Sequence, residues 1–207
     1  MNSKTYVCIG LVWLFTISGI LGIISSASSW FLALTPLYLG FNFLVILLCL
    51  KDQKIRVLKA ISIPFILGFI TEVLGVNFGL IYGSYTYGEN LGLKIFDVPL
   101  IICLNWCLLT IVSADVGKLI TQNKDARIFS GALLMILLDV LIEISAPRFD
   151  FWLFKDGIVP LTNYSGWFIV ASISHWWYQS FKINTNSKIS CHVITCLFVF
   201  FSIFIFW

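Results

Sequence analysis

Three carboxylates stand in stretches otherwise built from apolar residues. Glu72 lies within GFITEVLGVNFG, and Asp139 and Glu143 lie within LLMILLDVLIEISAP. The last two are four residues apart, so they share one face of a helix. An ionised carboxylate deep in a bilayer costs about 2.5–3.5 kcal/mol even on the lenient insertion scale. Two readings are open for each. One is polar glue between helices, through hydrogen bonds to Asn105, tyrosine or tryptophan. The other is a proton-handling site: burial raises a carboxyl pKa, and two near neighbours can share one proton.

Aromatic and amide side chains gather around these acids in sequence. The loop LIYGSYTYGEN supplies Tyr82, Tyr85 and Tyr87. Tyrosine is common at membrane interfaces, and its ring face also stabilises a cation. Two later stretches share a grammar: DVPLIICLNW, from Asp97 to Trp106, and IVPLTNYSGW, from Ile158 to Trp167. Each has Val-Pro-Leu, an asparagine (Asn105, Asn163), and a tryptophan seven residues past the proline (Trp106, Trp167). Proline suits the first turn of a helix, so each phrase reads as a loop re-entering the membrane. Either a weak internal duplication or coincidence among common membrane-entry residues produces this pattern. Trp152, Trp176 and Trp177 complete the aromatic set near the acids. Gly75, Gly79 and Gly83 recur every fourth residue beyond Glu72. That spacing suits close approach of a neighbouring helix, or a smooth groove for a flat hydrocarbon.

Some chemistries lack their residues. With only His175 and His192, the chain cannot build the many-histidine site of a two-iron membrane hydroxylase or desaturase. No glycine-rich dinucleotide fingerprint, P-loop or zinc spacing occurs. An enzyme made of this sequence is expected to work without cofactor or metal. Its tools are carboxylates, amides and aromatic rings in a dry pocket. They suit acid-catalysed chemistry on an alkene: protonate, stabilise the cation, then add water or lose a proton.

Helices must position these groups. Of the 207 residues 59% are hydrophobic and 11% charged, against roughly a quarter charged in soluble domains. The fold class is therefore all-α, a polytopic transmembrane bundle forming a single integral membrane domain over 1–207. Apolar runs predict about seven spans, near 5–25, 30–50, 57–80, 97–120, 127–147, 161–181 and 189–207. The first is read as a retained helix rather than a cleaved signal. Lys4, Lys51, Lys54, Arg56, Lys59, Lys118, Lys124, Arg127, Lys182 and Lys188 fall on one side, and Lys94, Arg148 and Lys155 on the other. The positive-inside rule then predicts a cytoplasmic N-terminus in a multi-pass protein of the cell membrane. The acids skew the other way. Glu72, Glu89, Asp97, Asp139, Glu143, Asp150 and Asp156 lie toward the outer face, which points to an acidic pocket there among spans three to six. For Glu89, Asp150 and Asp156 the alternative is simple loop solvation. The six cysteines sit in or beside apolar runs, form no C-x-x-C, and read as small buried hydrophobes. The net charge of +3 is too small to point to nucleic acid, and none is expected as a partner.

The phrase EVLGVNFGLIYGSYTYGENLG followed by DVPLIICLNW resembles the signature of the carotenoid 1,2-hydratase family. So does LLDVLIEISAPRFDFWLFKDGIVPLTNYSGW. The resemblance covers a core of about 65–180. The chain departs from it at EISAP, where Pro147 is displaced, and at Tyr164 and Ser165, where bulkier apolar residues are usual. The resemblance implies a cofactor-independent hydro-lyase of carotenoid biosynthesis. It would add water across the terminal 1,2 (or 1′,2′) double bond of an acyclic end group, as in γ-carotene, lycopene or a bacterioruberin precursor. The product would be a tertiary 1-hydroxy carotenoid. Expected partners are a lipophilic carotenoid, membrane lipid and other enzymes of the pathway.

On that resemblance Asp139 and Glu143 become the acid and water-positioning pair, with Glu72 as third catalytic partner. The expected substrate-binding set is Tyr82, Tyr85, Tyr87, Asp97, Asn105, Trp106, Asn163 and Trp167. Asn105 and Asn163 would orient a carboxyl or water, and Trp106 and Trp167 would flank the cation. Two rivals stay open: a carotenoid end-group cyclase, and a non-enzymatic polyene-binding or transport protein.

Overall fold

Proline and glycine punctuate the apolar runs and set where the helices begin and stop. The computed structural model describes residues 3–50 and 52–207. Lys51, counted above among the cytoplasmic cations, lies outside the described residues. The helices are α1 (Ser3–Ile24), α2 (Ser28–Ala33), α3 (Thr35–Cys49), α4 (Lys54–Phe78), α5 (Leu100–Ile120), α6 (Lys124–Ser145), α7 (Leu161–Ser180) and α8 (Ser187–Ile203). They occupy the seven predicted segments, and the fold is all-α. α1, α4, α5 and α6 are long and apolar enough to cross a membrane, while α3 and α8 are shorter apolar helices. Such a set marks a membrane protein.

The second predicted span is two helices, not one. Pro36 sits in the first turn of α3. A proline there has no N–H to give to Leu32, and its ring crowds that carbonyl, so α2 cannot run on into α3. The Thr35 hydroxyl takes up the Leu32 carbonyl instead, at 2.6 Å. α4 stops at Phe78 because Gly79 adopts a left-handed backbone (φ 67°), and its N–H donates to the Gly75 carbonyl at 2.8 Å. Gly83 is also left-handed, at φ 99°. The glycine repeat is therefore not a helix face. It offers neither the helix contact nor the hydrocarbon groove that its spacing suggests, since only Gly75 is helical. The Val-Pro-Leu phrases behave alike: Pro99 precedes the first residue of α5, and Pro160 precedes that of α7. Asn123 caps α6, its side chain accepting from the Ala126 N–H at 3.0 Å.

α5 is the central helix, packed against α3, α4, α6, α7 and α8, while α1 leans on α8. At one end of the bundle, two loops form one layer across α4–α7. Strand β1 (Tyr85–Tyr87) pairs antiparallel with β4 (Trp152–Phe154), with Tyr85 opposite Phe154 and Tyr87 opposite Trp152. Strands β2 (Lys94–Ile95) and β3 (Val98–Pro99) form a hairpin whose turn residues, Phe96 and Asp97, both take positive φ. Asp150 fastens the layer by accepting from the Glu89 N–H at 2.8 Å, and Glu89 pairs with Lys94 at 2.8 Å. At the other end, buried Asp115 of α5 accepts from Lys118 at 2.9 Å, from Ser190 at 2.6 Å and from Thr185, tying α8 and its preceding loop to the core.

Candidate active site

Glu72 faces inward from α4 and is 3% exposed. Both of its oxygens are occupied. Oε2 accepts from the hydroxyls of Tyr85 and Tyr87, the latter at 2.7 Å, and Oε1 accepts from Trp106 Nε1 at 3.1 Å. Glycine makes room for these rings. A Cβ on Gly68 would stand 2.6 Å from the Trp106 ring, and one on Gly75 would stand 2.8 Å from Tyr85. Gly68, Glu72 and Gly75 share a helix face, so the two glycines leave space for donor rings on either side of the carboxylate.

A second carboxyl station faces it from α6. The Asn163 side-chain amide donates to Asp139 Oδ2 at 2.9 Å and to Glu143 Oε1 at 3.2 Å, and Trp152 Nε1 donates to Glu143 Oε2 at 2.9 Å. Asp139 is 1% exposed, and its Oδ1 has no hydrogen-bonding partner. Among the described residues no three His, Cys, Asp or Glu side chains gather into a group that could hold a metal ion. The three acids thus form two stations rather than one cage.

Aromatic rings fill the space between the stations. Trp106 and Trp167 stack with centroids 4.4 Å apart, and Tyr82 lies nearly parallel to Trp106 at 6.5 Å. The Tyr82 hydroxyl is paired with Thr71 at 2.8 Å. The two three-residue strands explain which rings face inward: Tyr85, Tyr87, Trp152 and Phe154 alternate with outward Thr86 and Leu153 along the β1–β4 ladder. Burial first, and the Glu72 carboxylate second, push the phenols of Tyr85 and Tyr87 well above their ordinary range.

A cavity of about 30 Å³ opens at the centre, enough for about two waters. Glu72, Tyr82, Tyr85, Tyr87, Asn105, Trp106, Glu143, Asn163 and Trp167 all line it. Asp139 does not line it and is linked to it through Asn163. Asp97 is not brought together with the others: it occupies the exposed β2–β3 turn, with a left-handed backbone, and does not line the cavity. Trp152 and Phe154 line the cavity and were missing from the expected set. FDFWLF carries no clean alternation to mark them, because Phe151 and Trp152 are adjacent and the strand is three residues long.

A family model described as carotenoid biosynthesis protein matches residues 32–207. The chain belongs to this family. Among curated proteins, this carotenoid biosynthesis protein is similar to the bisanhydrobacterioruberin hydratase of Haloarcula japonica, at 29% identity over 111 residues. That alignment covers 50% of this chain and 38% of the relative, so the chain matches well under half of the relative's length. No solved structure matches it. The family places the chain in carotenoid biosynthesis, and the relative is by its name a hydratase.

Proposed function

We propose that this carotenoid biosynthesis protein hydrates the terminal double bond of an acyclic carotenoid end group, yielding a tertiary 1-hydroxy carotenoid without a cofactor. One observation carries the reading: Glu143 lines an aromatic cavity while sharing the Asn163 amide with Asp139. The protonated Glu143 carboxyl gives its proton to carbon 2 of the end group, forming the C–H bond. Positive charge appears on tertiary carbon 1, beside the Trp106 and Trp167 faces and the Glu72 carboxylate. A water held in the cavity attacks carbon 1, and its surplus proton returns to the Glu143–Asp139 pair. Alkene and water give alcohol, and no electron is exchanged. Asp139 acts through Asn163 as a positioning residue and proton reservoir. Glu72, saturated by three donors, serves as a fixed negative charge rather than as the acid.

The relative acts on bisanhydrobacterioruberin by its name, and such a precursor, lycopene and γ-carotene are the candidate substrates. The surroundings proposed are the cell membrane, with the N-terminus cytoplasmic on the strength of the basic inner loops. Association with neighbouring pathway enzymes is proposed with them. Expression in cells that accumulate each candidate, followed by mass analysis of the pigments, tests the reading. A product heavier by one water, with oxygen from labelled water, is expected. An unchanged mass with an altered spectrum would favour the cyclase, where the same cation loses a proton. Unchanged pigment would favour a non-enzymatic polyene binder, and oxygen from labelled dioxygen would overturn the mechanism.

A further inference from the structure

A second, much larger cavity of about 340 Å³ adjoins the first. It lies within the size range of small-molecule sites, about 300–1,000 Å³. Ile102, Asn105, Ile142 and Trp152 line both cavities, so they form a shared wall between the apolar space and the carboxyl stations. The cavity extends from this wall toward α1, α3 and α8.

Its polar liners offer little to a polar ligand. Thr16 and Tyr38 pair hydroxyl to hydroxyl at 2.8 Å, Thr16 also donates to the Val12 carbonyl at 2.7 Å, and Thr35 donates to Leu32 at 2.6 Å. What remains is a largely hydrocarbon wall with the Ser18 hydroxyl on α1 and one amide, Asn105, at the end nearest the acids. Lining residues of α1 and α3 reach the surface. Phe15 there is 46% exposed and Leu37 70% exposed, and Phe15 meets Phe41 edge-on with centroids 4.7 Å apart. On a membrane helix such residues face lipid.

We infer that this cavity is the seat of the polyene chain of the substrate, which enters sideways from the bilayer between α1 and α3 and threads its end group past Asn105 and Trp152 to Glu143. This rests on the proposed hydration. It commits the cavity to an unsaturated hydrocarbon rather than a polar molecule, because the wall is nearly all apolar with most of its hydroxyls paired, and because it adjoins the space that Glu72 and Glu143 line. It also gives α1 a role in substrate choice, although α1 precedes the residues that match the family.

Gly19 of α1 lines the cavity, and its nearest neighbour on adding a Cβ is the Phe200 ring at 3.7 Å, an ordinary contact. Gly19→Leu therefore narrows the cavity. Gly40→Leu, on α3 where nothing lies within 4 Å, is the control. Binding of lycopene to purified protein in detergent, read by quenching of tryptophan fluorescence, reports the cavity independently of turnover. Gly19→Leu is expected to weaken binding about tenfold or more, and Gly40→Leu to leave it unchanged. Where the wild type turns over, Gly19→Leu is expected to lower kcat/KM for the full polyene similarly. A short acyclic terpene with the same terminal double bond should stay within about twofold. Unaltered lycopene binding by Gly19→Leu, equal losses on long and short substrates, or displacement of lycopene by excess phospholipid would each overturn the inference. Wild-type binding without hydration would instead overturn the proposed reaction and leave the tail site standing.

Discussion

Trp106 and Trp167 stack face to face at 4.4 Å, each seven residues beyond the proline that opens its helix. The repeated phrase thus delivers two indoles to one point from α5 and α7. Only Trp106 also donates to Glu72. Trp106→Phe keeps the ring and removes the donor, leaving a buried acceptor unpaired at a cost of about 1–3 kcal/mol in stability. Trp167→Leu removes a ring face without touching a carboxyl hydrogen bond. It is expected to slow hydration roughly tenfold through lost cation stabilisation. Unfolding midpoints and turnover measured on both variants check this split.

The shared Asn163 amide predicts a graded response. Glu143→Gln and Asp139→Asn are expected to lower turnover by about 10²-fold or more while the protein still accumulates. Asn163→Leu strips a donor from both acids at once and should lose comparable activity. Normal turnover in both acid variants would remove the pair from the mechanism.

Gly68 and Gly75 are space, not flexibility. Gly68→Ala is expected to push against the Trp106 ring and Gly75→Ala against Tyr85, each costing about 1–3 kcal/mol. Both should reduce turnover by moving a Glu72 donor. Gly10→Ala, in open space on α1, should do neither. Thermal unfolding in detergent alongside pigment conversion distinguishes them.

At the opposite end, Lys118 and Asp115 give an asymmetric pair. Asp115 is fully buried, whereas the Lys118 side chain keeps 26% exposure. Lys118→Met leaves the buried partner without its cation, and breaking such a pair costs about 3–5 kcal/mol. Asp115→Asn leaves a lysine that still reaches water and the Ile183 carbonyl, so its cost should be smaller. The order of the two unfolding midpoints is the check.

Alkaline pH tests the tyrosines. Their raised folded-state values mean stability that is fully present below the unfolded phenol's pKa of about 10 and lost as pH climbs through the higher folded values. The unfolding midpoint should therefore hold to about pH 10 and decline above it, with a shallower decline in the Tyr85→Phe, Tyr87→Phe double variant. A tyrosinate absorbance titration follows the same groups directly.

Much of the bundle was legible because membrane length is a coarse signal that apolar runs satisfy on their own. Pro99 and Pro160 marked helix starts by their missing N–H, and Glu72, Asp139 and Glu143 stood out by the cost of burying them. The α2–α3 break was hidden because WFLALTPLYLG stays apolar across it. The loop strands, two or three residues long, were too short for an alternation to declare itself, which concealed Trp152. Asp97 looked like part of the Val-Pro-Leu phrase, but its backbone geometry placed it in a turn. Gly79 misled for a related reason: spacing alone does not report the left-handed conformation that ended α4.

The β1–β4 ladder brings one further consequence. Tyr85 and Tyr87 hold Glu72 from one strand, and Trp152 holds Glu143 from the other. A shift of pairing by one residue would turn Thr86 and Leu153 inward. Both carboxyl groups would lose their aromatic partners together, so the alignment of two short strands is a single mechanical coordinate governing both carboxyl stations.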